Sequence, residues 1–346
     1  SPRTGDQSKT ELMLNHLVRG MQDAGAGIEV VHLREKKIKN CIGCFTCWTK
    51  TPGKCIHKDD MTTELFPKWL AADLVVYATP LYFHTMNAAM SAFIERTLPV
   101  AQPFFEKNAS GKIYHPLRNR LPPAVWLSVC GFPDESEFNA LSDYLNNTLE
   151  GPVVAEIYRT TAERLAGDFP EEIINDVLNA TEQAGRELVE SMQVSAATME
   201  RIRQPLVDTD FFIRMGNLYW KTCINEGVTP KKFQEKKMIP RPESLEDFMI
   251  ILPFGLNSEA AGDREMILQF NFSGDVNDSC YFTVRTGEVE AEQGSFPNPD
   301  ITISTPFGLW MDIMTRKADG RQMFMEQKYT VSGDLEKMTQ LFDKGE

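Results

Sequence analysis

Four of the seven cysteines in this chain lie within one short segment, where they could bind a metal or do redox chemistry. Cys41, Cys44, Cys47 and Cys55 occupy the stretch CIGCFTCWTKTPGKC, with the spacing C-x2-C-x2-C-x7-C. Structural zinc sites commonly use two C-x2-C pairs separated by a dozen or more residues, which this spacing does not provide. Three cysteines at successive x2 spacings, with a fourth further along, are typical of a cubane cluster. The segment favours a [4Fe–4S] cluster, and free thiols and zinc are the alternatives.

The composition restricts the classes of protein that could use such a site. The chain has 346 residues, 42% of them apolar and 25% charged, and a formal net charge of −13. This charge argues against nucleic-acid binding, which needs clustered Lys and Arg. No apolar run approaches the roughly 18 residues of a membrane span. Because Cys130, Cys223 and Cys280 stand singly in apolar or helical contexts, we expect a reduced, cytoplasmic protein rather than a disulfide scaffold.

The first half of the chain alternates apolar strand patterns with helical ones. The predicted strands are IEVVHL, ADLVVYATP, PAVWLSVCGF and PVVAEIY, and the predicted helices are SKTELMLNHLVRGM, MNAAMSAFIERTL, DESEFNALSDYLNNTL and PEEIINDVLNATEQAGRELVESM. This order predicts an α/β fold with a doubly wound parallel sheet, which binds ligands at the carboxyl ends of its strands.

The loops that follow the strands therefore carry the candidate site residues. SPRTGDQSKT leads into the first helix, where hydroxyl groups, backbone amides and the helix dipole favour an anion; a plain helix cap is the alternative. His84 follows a strand and is a candidate donor to a ligand, although a lone histidine there is more often structural. Asp59 and Asp60 fit the cap of the helix MTTELFPKWLAA better than a metal pair.

Residues 1 to 192 resemble the NADPH-dependent FMN reductases of the flavodoxin-like superfamily and, among them, the iron–sulfur flavoproteins. The resemblance is carried by Ser-Pro-Arg followed by Ser8 and Thr10, by the cysteine segment, by Asp59-Asp60-Met61, and by Thr79-Pro80-Leu81-Tyr82. It implies bound FMN, with NADH or NADPH as the electron donor. By position it assigns the phosphate to Ser1, Arg3, Ser8, Lys9 and Thr10, and the flavin ring to Pro80, Leu81, Tyr82, Phe83, Gly131 and Phe132. It also implies that the four cysteines bind the cluster.

A flavodoxin-like sheet has its first strand in the middle, immediately before the phosphate loop. No such strand precedes SPRTGDQSKT. Its loss would leave neighbouring backbone groups unpaired, at roughly 1–3 kcal/mol for each buried group. We therefore expect this strand to lie upstream of Ser1, or to be replaced by another segment.

The pattern changes beyond residue 192. Residues 193–247 read as a helical connector, in which Cys223 is expected to be a packing residue. Residues 248–346 resemble the sterol carrier protein type-two domain, on the evidence of PDITISTP, the helix and turn from Trp310 to Gly320, and KYTVSGDLEKMTQLF. The resemblance implies an α+β domain with an apolar tunnel for a lipid-like ligand. Five side chains could line such a pocket or form ordinary core: Met311, Met314, Met323, Phe324 and Met325.

Three functions are compatible with these features. The first is a flavin-dependent oxidoreductase that uses NAD(P)H to reduce FMN and passes electrons, through the cluster, to a small-molecule or protein acceptor. The second is a non-enzymatic electron carrier that works with a ferredoxin, and the third is a lipid-binding protein on a flavodoxin-like scaffold. Phe45 and Trp48 form an aromatic pair in the cysteine segment, so we also expect a homo-oligomer that covers them.

Overall fold

The chain divides into two compact units in a computed structural model, Ser1–Asp208 and Thr209–Glu346. The structure describes residues 8–109, 111–148, 151–165 and 171–343. Within these ranges no helix is both long enough and apolar enough to cross a membrane. The helices Glu171–Ser191 and Ala196–Arg203 belong to the first unit and the helix Thr209–Asn225 to the second, and the predicted boundaries at 192/193 and 247/248 stay predictions.

The N-terminal unit alternates helices and strands as the sequence pattern indicates. Its helices are α1 (Lys9–Asp23), α2 (Phe66–Ala71), α3 (Ala88–Glu95), α4 (Asn139–Thr148), α5 (Glu171–Ser191) and α6 (Ala196–Arg203). Its strands are β1 (Val75–Pro80), β2 (Glu106–Lys107), β3 (Ile113–Tyr114), β4 (Ala124–Val129) and β5 (Val153–Arg159). A π-helical turn, Met61–Leu65, leads directly into α2.

Strands β1, β4 and β5 form a parallel sheet in that order, which confirms the predicted sheet type. The central strand, β4, is buried along its whole length, as a parallel strand covered on both faces must be. Trp126 points into one apolar layer, with α2, α3 and α4, and Leu127 points into the other, with α1, α5 and α6. The carboxyl ends of all three strands therefore meet at one edge of the sheet.

The segment IEVVHL is not a strand, contrary to the sequence prediction. Residues 28–32 have no regular secondary structure, and Leu33 begins a short 3-10 turn. Ile28 and Val31 nevertheless pack into opposite layers, as alternating residues of a strand do. In a flavodoxin-like sheet this strand pairs only with the first strand, and the described residues contain no such partner for its backbone groups.

Two glycines in mid-helix allow α1 and α5 to pack backbone against backbone. A Cβ atom on Gly20 would lie 1.8 Å from the carbonyl oxygen of Glu182, and one on Gly185 would lie 2.2 Å from that of Leu17. No side chain fits at either position, so the glycines fix how α1 lies on α5. This contact holds the N-terminal end of α1, the predicted anion site, in a fixed position.

The C-terminal unit combines helices with a mixed five-stranded sheet. Its helices are α7 (Thr209–Asn225), α8 (Pro230–Glu235), α9 (Leu245–Gly255), α10 (Phe307–Met314), α11 (Gly320–Met325) and α12 (Leu335–Phe342). Its strands are β6 (Met266–Ser273), β7 (Ser279–Arg285), β8 (Glu288–Gln293), β9 (Ile301–Pro306) and β10 (Thr330–Gly333), arranged in the order β10-β9-β6-β7-β8.

Two sequence patterns of this unit fold differently from their simplest interpretation. The strands MILQFNFSGD, SCYFTVRTGEVEAEQG and PDITISTP alternate as antiparallel strands do, but β9, within PDITISTP, is parallel to β6, because residues 294–300 carry the chain from β8 to the other side of β6. The segment FGLWMDIMTRKADGRQMFME has a helical pattern throughout but forms two helices, since residues 315–319 turn with Arg316 in the left-handed region. The predicted α+β class is confirmed.

Aromatic side chains fill the core of this unit. The ring centroid of Phe248 lies 4.9 Å from those of both Phe270 and Phe272. The ring centroids of Phe270 and Trp310 lie 5.1 Å apart. Met311 belongs to this core, Met314 and Met323 pack at its edge, and Met325 is exposed. The packing interpretation of Cys223 is confirmed by its burial.

Candidate cofactor site

All four clustered cysteines line one pocket in the N-terminal unit. The pocket is also lined by Ile42, Phe45, Ile56, His57, Glu95, Arg96, Leu98 and Pro99. Gly43 and Phe45 adopt left-handed backbone angles that turn the chain between the first three cysteines. The amide of Gly53 donates to the carbonyl of Cys47 at 2.9 Å, which folds the chain back so that Cys55 joins the pocket. The sequence prediction that these thiols form one site agrees with this placement.

The thiols differ in their environments. Burial raises the pKa of Cys47, and the neighbouring thiols of Cys55, Cys44 and Cys41 raise it further. Cys44 is exposed, and hydrogen bonds from Thr46 lower its pKa. Mutual repulsion of this kind arises when several thiolates face one another, and bound cations offset it.

An ion pair closes the base of the pocket. Arg96, at the end of α3, donates from Nη1 to Asp59 Oδ2 at 2.7 Å and from Nη2 to Asp59 Oδ1 at 3.0 Å. Burial acts to raise the pKa of Asp59, but hydrogen bonds from Arg96, Lys39 and Thr62 outweigh it and hold that pKa well below its usual range. Asp59 also accepts from the amide of Thr62, which agrees with the predicted cap, whereas Asp60 accepts from the amide of Lys37.

Three buried nitrogens in or beside the cysteine segment have no hydrogen-bond partner among the described residues. They are Arg96 Nε, His57 Nε2 and Trp48 Nε1. Buried polar groups are normally satisfied, and two of these atoms, on Arg96 and His57, belong to residues that line the pocket. A bound group with acceptor atoms, such as cluster sulfides and cysteine thiolates, would satisfy them.

The four thiols are not arranged as a single-ion site. Four thiolates around zinc lie about 3.8 Å apart, since the Zn–S bond is about 2.3 Å in a tetrahedron. The described residues contain no group of three or more His, Cys, Asp or Glu side chains placed to hold one metal ion. The four thiols share the pocket without forming such a group.

The predicted phosphate site begins at the N-terminus of α1. Ser8 is the N-cap residue, and its side-chain oxygen accepts from the amide of Glu11 at 3.2 Å. Ser8 and Thr10 are buried, and Lys9 opens the helix between them. Ser1 and Arg3 lie outside the described residues. The helix terminus has the polarity that an anion needs, and the assignment of these residues to phosphate stays a prediction.

A strained turn follows β1 at the carboxyl edge of the sheet. Tyr82 and Thr85 exchange backbone hydrogen bonds of 2.8 and 3.1 Å across Phe83 and His84, which have φ angles of 48° and 60°. Left-handed angles are unfavourable for such residues. The turn leaves Phe83 100% exposed, and His84 Nδ1 lies 3.1 Å from Glu137 Oε2.

The loop after β4 lies at the same edge. Phe132 is 61% exposed, and its carbonyl accepts from the amide of Thr161 at 2.8 Å. Beside it, a Cβ on Gly131 would meet nothing within 4 Å. Leu81 donates its amide to Val129, which joins the turn after β1 to the end of β4. Exposed rings and open space at this edge suit a planar aromatic cofactor, as predicted for Pro80, Leu81, Tyr82, Phe83, Gly131 and Phe132.

The sequence interpretation did not identify Arg96 or His57 as part of the cysteine site. Arg96 lies in a helical pattern 41 positions after Cys55 along the chain, where a basic residue normally faces solvent. One feature of the sequence could have identified Arg96, because it is a charged residue near the end of the largely apolar helical pattern MNAAMSAFIERTL.

Two family profiles match the chain. The profile described as NADPH-dependent FMN reductase matches residues 1–119, and that of the SCP-2 sterol transfer family matches residues 258–343. An iron–sulfur flavoprotein from Archaeoglobus fulgidus is 30% identical over 195 residues, which cover 56% of this chain and 77% of that protein. Another from Methanocaldococcus jannaschii is 30% identical over 111 residues, or 32% of this chain and 55% of that protein.

Solved structures give more distant likenesses. An NAD(P)H:quinone oxidoreductase from Methanothermobacter marburgensis has 20% identity and a TM-score of 0.39, over 54% of this chain and 92% of that one. Sterol carrier protein 2 from Yarrowia lipolytica has 21% identity and a TM-score of 0.21, over 23% of this chain and 66% of that one. Both TM-scores are low, so the assignment rests on the family matches.

The parallel sheet and the N-terminal family match define the class of the N-terminal unit as a flavodoxin-like oxidoreductase of the NADPH-dependent FMN reductase type. Within this class the chain belongs to the iron–sulfur flavoprotein family, and it carries a C-terminal domain of the SCP-2 family. The resemblances noted in the sequence are thereby confirmed.

Proposed function

We propose that this protein takes electrons from NADH or NADPH onto FMN and passes them, through a [4Fe–4S] cluster on Cys41, Cys44, Cys47 and Cys55, to an acceptor. The observation that carries the proposal is the pocket lined by all four thiols together with Arg96 and His57, whose buried Nε and Nε2 atoms have no partner among the described residues. Free thiols are only weak acceptors for those buried nitrogens.

The residues at the sheet edge bind and orient the flavin. When bound, FMN supplies hydride acceptance from a nicotinamide and donation of one or two electrons. The α1 terminus with Ser8 and Thr10 binds its phosphate, and Tyr82, Phe83 and Phe132 contact its ring. The exposed face of Phe83 excludes water from one side of the ring.

The cysteine pocket holds the second redox group. A [4Fe–4S] cluster supplies one-electron transfer, which suits a two-electron donor that must serve a one-electron acceptor. Cys47 lies deepest of the four and Cys44 is exposed, so the pocket is open on the Cys44 side. An acceptor of either kind, a small molecule or a redox protein, approaches from that side.

Anaerobic absorption spectroscopy tests this function. The purified full chain should contain flavin and about four irons, and NADPH or NADH should bleach the flavin band within the time of mixing. A flavin band that is unchanged by both nucleotides but is bleached by a reduced ferredoxin would instead identify an electron carrier.

The C-terminal unit is proposed to bind an apolar, lipid-like ligand, on the basis of its match to the SCP-2 family. Its core is filled by its own aromatic side chains, so a ligand would have to displace them. A colourless protein that retained lipid on purification would favour a lipid carrier over the oxidoreductase. Lipid extraction and mass spectrometry of the purified chain decide this point.

A further inference from the structure

Arg96 joins both ends of the cysteine segment. Its Nη1 donates to the carbonyl of Lys39 at 2.6 Å, just before Cys41, and its guanidinium pairs with Asp59, just after Cys55. Asp59 Oδ2 in turn accepts from the amide of Lys39 at 2.9 Å. The arginine, the carboxylate and this backbone group therefore close residues 39–59 into one loop.

The position of the positive charge on Arg96 is as important as its role in closing the loop of residues 39–59. The Arg96 side chain is 1% exposed and lines the cysteine pocket together with Cys55. Its Nη atoms donate to Asp59, Lys39 and Thr62, but Nε is buried without a partner among the described residues. The positive end of the ion pair thus faces the thiols.

We propose that Arg96 is the positioning residue that sets the reduction potential of the cluster. It holds the loop closed through Asp59 and directs a positive charge and a free N–H toward the sulfur ligands. This inference rests on the proposed presence of the cluster and adds how the chain tunes it.

The direction of the effect follows from charge. One-electron reduction adds a negative charge to the cluster, and a nearby guanidinium stabilises the reduced form, which raises the potential. Hydrogen bonds to cluster sulfurs act in the same direction. Because the Arg96 and Asp59 side chains are buried, solvent screens their charges little. The negative charge of Asp59 lowers the potential, so Arg96 and Asp59 act on it in opposite directions.

The test is an anaerobic redox titration of the reconstituted full chain, followed by electron paramagnetic resonance. In Asp59→Asn the arginine charge is no longer offset, and the potential should rise. In the double variant Arg96→Met/Asp59→Asn both charges are absent, and the potential should fall below that of Asp59→Asn. We expect the equilibrium constant for reduction to differ about tenfold between these two variants, which is about 59 mV for one electron.

Arg96→Lys is the conservative control, and it should keep a potential closer to the wild type than the double variant does. Equal potentials in Asp59→Asn and the double variant would overturn the role of Arg96. If the double variant cannot retain iron, Asp59→Asn decides alone, and a potential that is unchanged or lowered there overturns the inference. Wild-type protein without iron after reconstitution would refute the cluster itself and, with it, the role of Arg96.

Discussion

The cysteine pocket and the core of the C-terminal unit differ in whether their buried polar groups have hydrogen-bond partners. In the C-terminal core Gln269 is buried, yet its amide nitrogen donates to Cys280 at 3.1 Å and its oxygen accepts from the amide of Phe296 at 2.9 Å. Around the cysteines, Arg96 Nε, His57 Nε2 and Trp48 Nε1 have no partner. Among the described residues of the C-terminal core, only the indole N–H of Trp310 is buried without a partner.

This difference agrees with the proposal that the cysteine pocket binds a cofactor. A self-satisfied aromatic core gains its stability from packing alone. A pocket with free donors and clustered thiols is costly until something supplies acceptors and positive charge. The N-terminal pocket should therefore depend on its cofactor, and the C-terminal core should not.

The largest expected effect is the loss of the cluster on substitution of its most buried ligand. Cys47→Ser should lose the iron, because an alcohol is a poor ligand for iron in a sulfide cluster, while FMN is retained. Iron and flavin analysis of the anaerobically reconstituted protein measures both. The matched control is Cys280→Ser, a buried cysteine in the C-terminal unit, which should keep its iron. Equal iron in Cys47→Ser and wild type would remove this cysteine from the cluster.

The second effect concerns the C-terminal core. Phe248→Ala removes a ring that contacts three other buried phenylalanines, and such changes typically cost about 3–5 kcal/mol of unfolding free energy. Chemical denaturation of the full chain should show a destabilised transition, with flavin and iron content unaltered under native conditions. A stability like that of the wild type would mean that the core is loosely packed and already able to admit a ligand.

A smaller effect is expected at the start of α1. Replacement of both Ser8 and Thr10 by Ala removes two hydroxyl groups from the proposed phosphate site, at roughly 1–3 kcal/mol of binding free energy each. FMN affinity, measured by the change in flavin fluorescence, should fall.

Part of that change could come from the loss of the helix cap, since Ser8 accepts from Glu11. Ser195→Ala provides the matched control because Ser195 caps α6 in the same unit. A loss of FMN affinity in Ser195→Ala as large as that in the double variant would contradict a specific role at the phosphate.

The smallest expected effect concerns self-association. The ring centroids of Phe45 and Trp48 lie 4.9 Å apart in a tilted contact, and those of Trp48 and His115 lie 4.8 Å apart. Phe105 contacts His115 and extends this aromatic row beside the β2–β3 hairpin. Exposed rings of this kind favour a homo-oligomer. Light scattering should give a mass above 39.2 kDa, and Phe45→Ser with Phe105→Ser should lower it. A wild-type monomer that still reduces its flavin would refute this expectation.

The sequence predicted the repeating parts of the structure well. The periodic apolar patterns around Val76, Val125 and Ile157 identified the parallel sheet, because burial on both faces leaves few polar residues in a strand. The cysteine spacing identified its pocket, since the ligands are close together in the chain.

Features that depend on distant residues were not predictable. The Arg96–Asp59 pair joins residues far apart in sequence, and no pattern in the chain links the two. Gly20 and Gly185 look like defects in their helices until the two backbones are seen to touch. The alternation in IEVVHL correctly predicted which side chains pack into opposite layers. The segment is nevertheless not a strand, because a strand also needs a neighbouring strand to pair with its backbone groups.

The turn at Phe83 and His84 has a consequence for the evolution of the protein. Glycine would adopt those backbone angles at little cost, so Phe83→Gly is expected to relieve strain. The same change would remove the ring proposed to cover the flavin. Selection for thermal stability alone would then drive this position toward glycine, whereas selection for turnover would keep it aromatic. The residue found at this one position in related sequences should thus record which of the two pressures has prevailed in each lineage.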